Sequence, residues 1–419
     1  MEEKVGVGSA ILVGIAERGS DVQECERSLD ELERLLDTAG GTVYSRVIQV
    51  KDSFDARTCI GSGKVAEISE ICKSGDVELV IFDFELSPAQ IRNLEGDIGA
   101  DIRVIDRSML ILDIFALHAQ SGEGKLQVEL AQLKYSAPRL MGKGKDLSRL
   151  GGGIGTRGPG ESKLETDRRH LKEKVYALEK RIEEMERARA VMRSQRDKSG
   201  LVKIALVGYT NAGKSTLLNA MTDAGVLSED KLFATLDATT RKLELPGGET
   251  VLLTDTVGFI RKLPHHLIKA FKSTLDEVVY ADILLIVCDV NDSEVVEQIK
   301  VTEDVIEELG ASGKPIIYVY NKCDKLGEPL TGLNDNSVAV SGVSGEGIDT
   351  LLSAIEDVMH KFKQKYVLLI PYDNQSVLST LYDGYKIESV DYVENGVRAI
   401  AILDEKGRGV YNKYILGEA

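Results

Sequence analysis

Apolar residues along the chain fall into two kinds of pattern. Short apolar-rich runs at Ala10–Ile15, Val43–Val50, Leu79–Phe84, Ile102–Ile105, Ile283–Val287, Ile316–Tyr320 and Val338–Ser341 predict strands, and Ile204–Val207 and Val251–Thr254 predict buried ones. Between them, apolar residues spaced by three and four predict helices over Val22–Leu36, over Pro88–Leu94 with Ser87 as N-cap, and over Leu126–Leu140 up to a break at Pro138. Such alternation of strand and helix predicts sheets covered by helices. A different pattern occupies residues 163–197. Leu164, Leu171, Val175, Leu178, Ile182 and Met185 step by seven, four and three, and most other positions are charged. This predicts one long helix whose apolar seam packs, as a hairpin, on Leu126–Tyr135. The end of the chain reads strand, helix, strand, strand at Tyr366–Ile370, Gln375–Tyr382, Lys386–Glu394 and Val397–Leu403, with a hairpin turn at Asn395-Gly396.

Composition narrows the class. With 43% hydrophobic and 29% charged residues, the 419-residue chain is globular and carries no apolar run of the ~18–20 residues that span a membrane. Its start has two acids and no basic region before the first apolar run, so no signal peptide is expected. Cys25, Cys59, Cys72, Cys288 and Cys323 are scattered without paired spacing, which predicts reduced thiols and neither zinc nor disulfides. The expected location is the cytoplasm, with room for peripheral attachment to a membrane, and the expected state is a monomer. A net charge of −16 argues against generic polyanion binding. One stretch departs from it. The glycine-rich run at 141–162 holds Lys143, Lys145, Arg149 and Arg157 and has no apolar periodicity, and basic residues continue at Lys163, Arg168 and Arg169. An exposed, basic, glycine-rich backbone can approach a phosphate backbone closely, so these seven residues are the candidate RNA contacts. In contrast, Gly61-Ser62-Gly63-Lys64 lacks the rest of a phosphate-binding pattern and reads as a helix start. Asp83, Glu85 and Asp106 read as strand-end loop residues rather than a catalytic carboxylate cluster.

The candidate chemistry sits where strands end. Gly208-Tyr209-Thr210-Asn211-Ala212-Gly213-Lys214-Ser215 fits G-x-x-x-x-G-K-[ST] between a strand and the helix Leu217–Met221. Loop N–H groups and the helix N-terminus would cradle polyphosphate. Lys214 would reach the β- and γ-phosphates, and Ser215 would bind Mg²⁺. Asp255-Thr256-Val257-Gly258 ends the next strand as a D-x-x-G. Asp255 would hold Mg²⁺ through water, and the Gly258 N–H would sense the γ-phosphate. Asn321-Lys322-Cys323-Asp324 is an N-K-x-D, which selects guanine because the Asp324 carboxylate can accept from N1–H and N2–H₂ while adenine offers neither. Ser341-Gly342-Val343 would present backbone N–H groups to the guanine oxygen. A switch threonine must come from Thr235, Thr239 or Thr240, and spacing does not choose. Phe259 stands where Ras-like enzymes carry a water-orienting Gln, so the isolated chain is expected to hydrolyse GTP slowly. Asn211 reads either as a loop cap or as a ligand for K⁺ in place of an arginine finger.

These stretches resemble the HflX family of translational GTPases over nearly the full length. The resemblance is carried by IGSGK at 60–64, DFELSPAQIRNLE at 83–95, IDRSMLILDIFALHAQSGEGKLQVELAQLKY at 105–135, RLGGGIGTRGPGESKLETDRR at 149–169, GYTNAGKSTL at 208–217, LFATLDATTR at 232–241 and DTVGFIRKLP at 255–264. Ala238 and Ser162 depart from the family's usual Pro and Thr. The resemblance implies that Thr235 is the switch ligand, within a GTP-contacting segment of Phe233, Ala234, Thr235, Leu236 and Asp237. The catalytic set is then Lys214, Asn211, Thr235 and Gly258, and the metal set Ser215, Thr235 and Asp255. The expected fold is an α/β chain: an N-terminal α/β domain (1–125), a helical linker with the basic loop (126–198), a P-loop GTPase domain with a mostly parallel sheet (199–363) and a small α+β C-terminal domain (364–419). The implied function is a GTPase that binds the large ribosomal subunit and splits stalled or stress-arrested ribosomes. The alternatives are a nucleotide-dependent RNA-remodelling factor and a protein-recruiting switch not governed by the ribosome.

Overall fold

The apolar runs become strands of two mostly parallel sheets; Ser9–Ala16, Lys203–Gly208 and Ile283–Asp289 are covered on both faces, whereas Thr42–Val50, at a sheet edge, buries only Val47. The computed structural model describes residues 8–16, 22–140, 159–197, 201–222, 231–262, 264, 267, 272–328, 330–362, 364–403 and 405–419. The chain forms two compact units, one of Met1–Glu183, Glu229–Asp237 and Arg261–Lys272, the other of Glu184–Ser228, Ala238–Ile260 and Ser273–Ala419.

In the first unit, β1 (Ser9–Ala16), β2 (Thr42–Val50), β3 (Leu79–Phe82) and β4 (Arg103–Asp106) form a parallel sheet in the order β2-β1-β3-β4. Helices α1 (Val22–Thr38), α2 (Ser62–Ser74), α3 (Pro88–Ile98) and α4 (Arg107–His118) accompany it. Ser87 opens α3 with a capping box: its hydroxyl accepts from Gln90 N–H and its own N–H donates to the Gln90 side chain. Gly61 is the N-cap of α2, and Lys64 pairs with Glu67, so the G-S-G-K stretch is a helix start. Helix α5 (Gly122–Leu140) continues through Pro138, where a break was expected. A proline so close to the C-terminal end removes one ladder bond and need not stop the last turn. Two ion pairs, Glu129–Lys174 and Lys134–Glu179, join α5 to α6 (Pro159–Asp197), and Leu178 and Ile182 of the predicted seam are buried.

Asp83 and Glu85 follow β3 and Asp106 closes β4, at strand ends as the sequence predicts, and Asp83 and Asp106 are in addition buried, with exposures of 3% and 0%. Asp106 caps α4 by accepting from Met109 N–H and also accepts from Leu86 N–H and the Tyr135 hydroxyl. Asp83 lies in a buried ionic cluster, accepting from Arg107 at 2.6 Å, from Ser28 Oγ at 2.5 Å and from Lys262 Nζ at 2.8 Å, while Arg107 also pairs with Glu31. Burial pushes the Asp83 carboxyl up, but Arg107, Lys262 and the Ser28 hydroxyl pull harder, and it ends below the usual carboxylate value.

In the second unit a six-stranded sheet runs β10-β9-β8-β5-β7-β6, from β5 (Lys203–Gly208), β6 (Thr239–Glu244), β7 (Thr250–Asp255), β8 (Ile283–Asp289), β9 (Ile316–Asn321) and β10 (Ser337–Ala339). All pairs are parallel except β6 with β7. Helices α7 (Lys214–Met221), α8 (Lys272–Tyr280), α9 (Val295–Glu308) and α10 (Ile348–Phe362) belong with it. β5 sits where connections leave to both sides, which places its C-terminal loop at the crevice such sheets use for ligands. A separate antiparallel sheet, β12-β13-β11-β14, is built from β11 (Gln364–Ile370), β12 (Lys386–Val393), β13 (Gly396–Leu403) and β14 (Ile415–Glu418), with α11 (Gln375–Gly384) and α12 (Glu405–Tyr411). Among the described residues no helix is long and apolar enough to cross a membrane.

Candidate functional site

The loop after β5 is bent by backbone that side chains resist. Gly208 has φ +145°, and a Cβ there would lie 2.1 Å from Val287 O. Gly213 has φ +90°, and its Cβ would meet Asn321 Nδ2 at 2.3 Å. Both positions therefore require glycine. Asn211, exposed at the loop's tip, also has a positive φ of 62°. The loop hands over to α7 at Gly213, and Lys214 on its first turn is buried. Lys214 Nζ donates to the carbonyls of Gly208 and Tyr209 at 3.1 and 2.9 Å. Burial drives this lysine down to about 8, against a smaller upward pull from Asp255.

Four strand ends converge on this loop. From β7, Asp255 is fully buried and accepts from Ser215 Oγ at 2.6 Å. Thr256 is also fully buried, its hydroxyl donating to Leu206 O. Beyond Val257, the Phe259 N–H donates to Gly208 O and the Thr210 N–H to Phe259 O, so the segment after D-x-x-G is zipped to the phosphate loop. Gly258 is needed for that approach, since a Cβ would lie 2.7 Å from Thr210 Cα and 2.9 Å from Lys214 Nζ. Phe259 is fully buried and offers no polar group to a water.

From β9, Asn321 commits both ends of its amide to protein. Its Nδ2 donates to Ala212 O at 2.8 Å, and its Oδ1 accepts from Gly342 N–H at 3.0 Å. It thus clasps the phosphate loop to the S-G-V loop, with one amide N–H and one oxygen lone pair still to spare. Lys322 Nζ donates to Asn211 O and pairs with Asp289 at 2.8 Å. Burial raises Asp289, but hydrogen bonds from Lys322 and Asn291 outweigh it and leave the carboxyl below its usual value. Asp289, at the end of β8, was missed in the sequence because no motif marks it; an acid closing a fully apolar run was the signal available. Asp324 is exposed, Cys323 half-buried, and Ser341 Oγ accepts from the N–H groups of Val343 and Ser344.

Of the three switch threonines, Thr239 and Thr240 lie in β6, paired with Asp255 and Thr254, and the Thr240 and Thr254 hydroxyls are 2.9 Å apart. Thr235 lies outside any strand, within the part of the chain, Glu229–Asp237, that packs in the first unit. There Phe233 and Leu236 are buried, Phe233 against the Phe115 ring at 4.7 Å, and Ala234 is half-buried. Among the basic candidates, Arg168 and Arg169 are exposed on α6, Lys163 lies within that helix, and Lys143, Lys145, Arg149 and Arg157 fall outside the described residues.

Comparison with known proteins covers most of the chain. Residues 26–116 match the model of the GTP-binding GTPase N-terminal region, 118–196 the GTP-binding GTPase middle region, 203–322 the 50S ribosome-binding GTPase and 331–405 the HflX C-terminal domain. A GTPase HflX from Caldanaerobacter subterraneus is 50% identical over 388 residues, covering 93% of this chain and 89% of its own. The Escherichia coli GTPase HflX is 43% identical over 375 residues, covering 88% and 87%. Among solved structures, a GTP-binding protein from Sulfolobus solfataricus in complex with GDP aligns at 25% identity over 84% of this chain and 98% of its own, with a TM-score of 0.43. With a G-x-x-x-x-G-K-S loop, a D-x-x-G and an N-K-x-D gathered at the strand ends of one sheet, the chain belongs to the HflX family of GTPases.

Proposed function

We propose that this chain is a GTPase stimulated by the large ribosomal subunit, whose nucleotide state sets its grip on that subunit and which splits stalled ribosomes. The carrying observation is the match of residues 203–322 to the 50S ribosome-binding GTPases, joined to the basic glycine-rich run at 141–162. Residues 1–198 form the RNA-facing half, and residues 199–363 the nucleotide half.

In this function the N–H groups from Gly208 to Ser215 and the start of α7 hold the phosphates. Lys214 leaves its two carbonyl partners for the β- and γ-oxygens. Asp324 accepts from the guanine base while the Asn321 clasp fixes the loops on either side of it. Ser215 Oγ and a fully buried Asp255 carboxylate, 2.6 Å apart, are the hard oxygen donors that Mg²⁺ prefers, so they fit the ion. Thr235 joins them as the switch ligand that the resemblance to the HflX family implies. Magnesium, when bound, neutralises charge developing on the transferred phosphoryl group. Gly258 N–H reports the γ-phosphate, and loss of that phosphate releases both switches. Phe259 cannot orient water, so turnover waits for a group supplied from outside the chain.

The test is GTP hydrolysis by the purified chain with and without large subunits in potassium buffer, with splitting followed by sedimentation of vacant ribosomes. Strong stimulation is expected, and repeating the assay in sodium reads any cation dependence at Asn211. Absence of stimulation by active subunits would refute the ribosome-governed function.

A further inference from the structure

Lys322 follows the clasp residue Asn321 and is held at both its backbone and its ammonium. The backbone is left-handed, with φ 65° and ψ 32°, a conformation that lysine seldom adopts. Its carbonyl accepts from Asn291 Nδ2 at 3.0 Å. Its ammonium donates to Asn211 O at 2.9 Å and pairs with Asp289 Oδ2 at 2.8 Å. The stem between passes close to the phosphate loop, since a Cβ on Gly213 would lie 3.8 Å from Lys322 Cε.

Asp289 is itself fixed. It closes β8 opposite Asn321 of β9, and the Val290 N–H donates to Asn321 O at 3.1 Å. Asp289 Oδ1 accepts from the backbone N–H and the side-chain amide of Asn291 at 3.0 and 3.1 Å, while Oδ2 faces the lysine. One strand end thus sets the carbonyl of Lys322 through Asn291 and its ammonium through Asp289. All of these residues belong to the second unit. The paired side chains are 19% and 21% exposed, and an ion pair that water still reaches adds little to folding. The positive φ at Lys322 has a cost that its surroundings must offset, and such strain gathers at ligand clamps. Asn211, at the other end of the hydrogen bond, has a positive φ of 62° as well. The contact therefore joins two strained residues, one in N-K-x-D and one at the tip of the phosphate loop.

We infer that Asp289 is a positioning residue for guanine nucleotide: it fixes the Lys322 stem beside the phosphate loop, ordered in advance to cover the base. This role rests on the N-K-x-D loop holding guanine through Asp324, as proposed above. A lysine stem has much rotamer freedom to lose on binding, and one already ordered loses less. The pair lies on the base side of the loop and supplies no group to the transferred phosphoryl. It therefore acts on affinity rather than on turnover.

Asp289→Ala, Lys322→Met and the double variant test this in the full-length chain, by titration with GDP and with a non-hydrolysable GTP analogue. Methionine keeps an unbranched apolar stem and loses the ammonium, so binding stays measurable. Each single variant should weaken both nucleotides about tenfold, and the double variant should lie within about twofold of Lys322→Met. For GTP hydrolysis KM should rise while kcat stays within about twofold. A chain that merely folds less well without Asp289 would lose affinity in either background, so the missing second loss separates positioning from general damage. Equal losses in the two backgrounds overturn the inference, as does an Asp289→Ala chain that binds both nucleotides like the unaltered protein. Asp324→Asn separates the two claims. If it leaves GDP affinity intact while the Asp289–Lys322 coupling is found, the base-holding role of Asp324 fails and the coupling survives. If it weakens GDP while Asp289→Ala has no effect, the positioning role fails alone.

Discussion

Lys214 makes nucleotide affinity depend on pH in a way that can be worked out in advance. In the free chain burial holds this lysine to about 8, and its ammonium rests on two carbonyl oxygens. Phosphates of bound nucleotide stabilise the ammonium and return it toward or above its ordinary 10.5. Below pH 8 the free chain already carries the proton, and affinity is at its plateau. Above pH 8 binding must take up a proton, and affinity falls by a factor approaching ten per pH unit. Between pH 7.0 and pH 8.5 the free-lysine fraction predicts about fourfold weaker GDP binding, and by pH 9 about tenfold, or roughly 1.4 kcal/mol. Competition with a fluorescent GDP analogue across this range reads the effect, and Lys214→Arg, which stays charged, should remove the slope even if it binds less well. Stability moves the other way. Between about 8 and about 10.5 the unfolded chain binds more protons than the folded one, so the nucleotide-free protein gains stability as pH rises. Affinity flat within twofold from pH 7.0 to 8.5, or the same decline in Lys214→Arg, would refute the reasoning.

Further expectations concern specificity, loop geometry and the buried cluster. Asp324→Asn should weaken GTP by about 3 kcal/mol, roughly a hundredfold, by removing two charge-assisted acceptors, and should gain xanthosine triphosphate, measured by competition. Gly213→Ala must place a Cβ 2.3 Å from Asn321 Nδ2 at φ +90°. It should break the clasp and weaken GDP binding more than tenfold, which the same titration reads. Arg107→Met leaves Asp83 and Glu31 buried without their shared cation and should cost about 3–5 kcal/mol, read as a lowered melting temperature. Because Asp83 sits below its usual value, its contribution is complete above the ordinary carboxylate pKa and is lost as pH falls. Lys262→Ala, which removes one of its cations, should therefore narrow the acid range of stability in thermal melts between pH 3 and 6.

Much of this site was legible because its chemistry is local. Gly208–Ser215, Asp255–Gly258 and Asn321–Asp324 each follow an apolar run, and a strand end is where a parallel sheet presents groups to a ligand. Elements without that contrast escaped. β6 (TTRKLE) has no apolar run because it is an edge strand, and so the strand that holds Thr239 and Thr240 was not outlined. Helix α4 (RSMLILDIFALH) is apolar on nearly every side, so periodicity gave no outline for it. The Arg107–Asp83–Glu31–Lys262 cluster draws its members from positions up to 231 residues apart, and no spacing rule reaches that far. Likewise, Asn321 shows in the sequence as a base-binding residue, while its clasp appears only once Ala212 and Gly342 are brought to either side of it.

The route of the chain bears on how the protein is made. It passes from one compact unit to the other five times, after residues 183, 228, 237, 260 and 272. Leu232, Phe233, Leu236 and Leu267, all at least 95% buried, belong to the first unit yet are synthesised after the phosphate loop. The amino-terminal half therefore cannot close its interior on the ribosome that makes it until residue 272 has left the exit tunnel. A chain cut at residue 198 would lack part of its own filling, and one begun at 199 would carry those leucines and that phenylalanine with nothing to cover them. Release and protease sensitivity of nascent chains stalled near residues 240 and 310 should differ sharply, with the longer one protected.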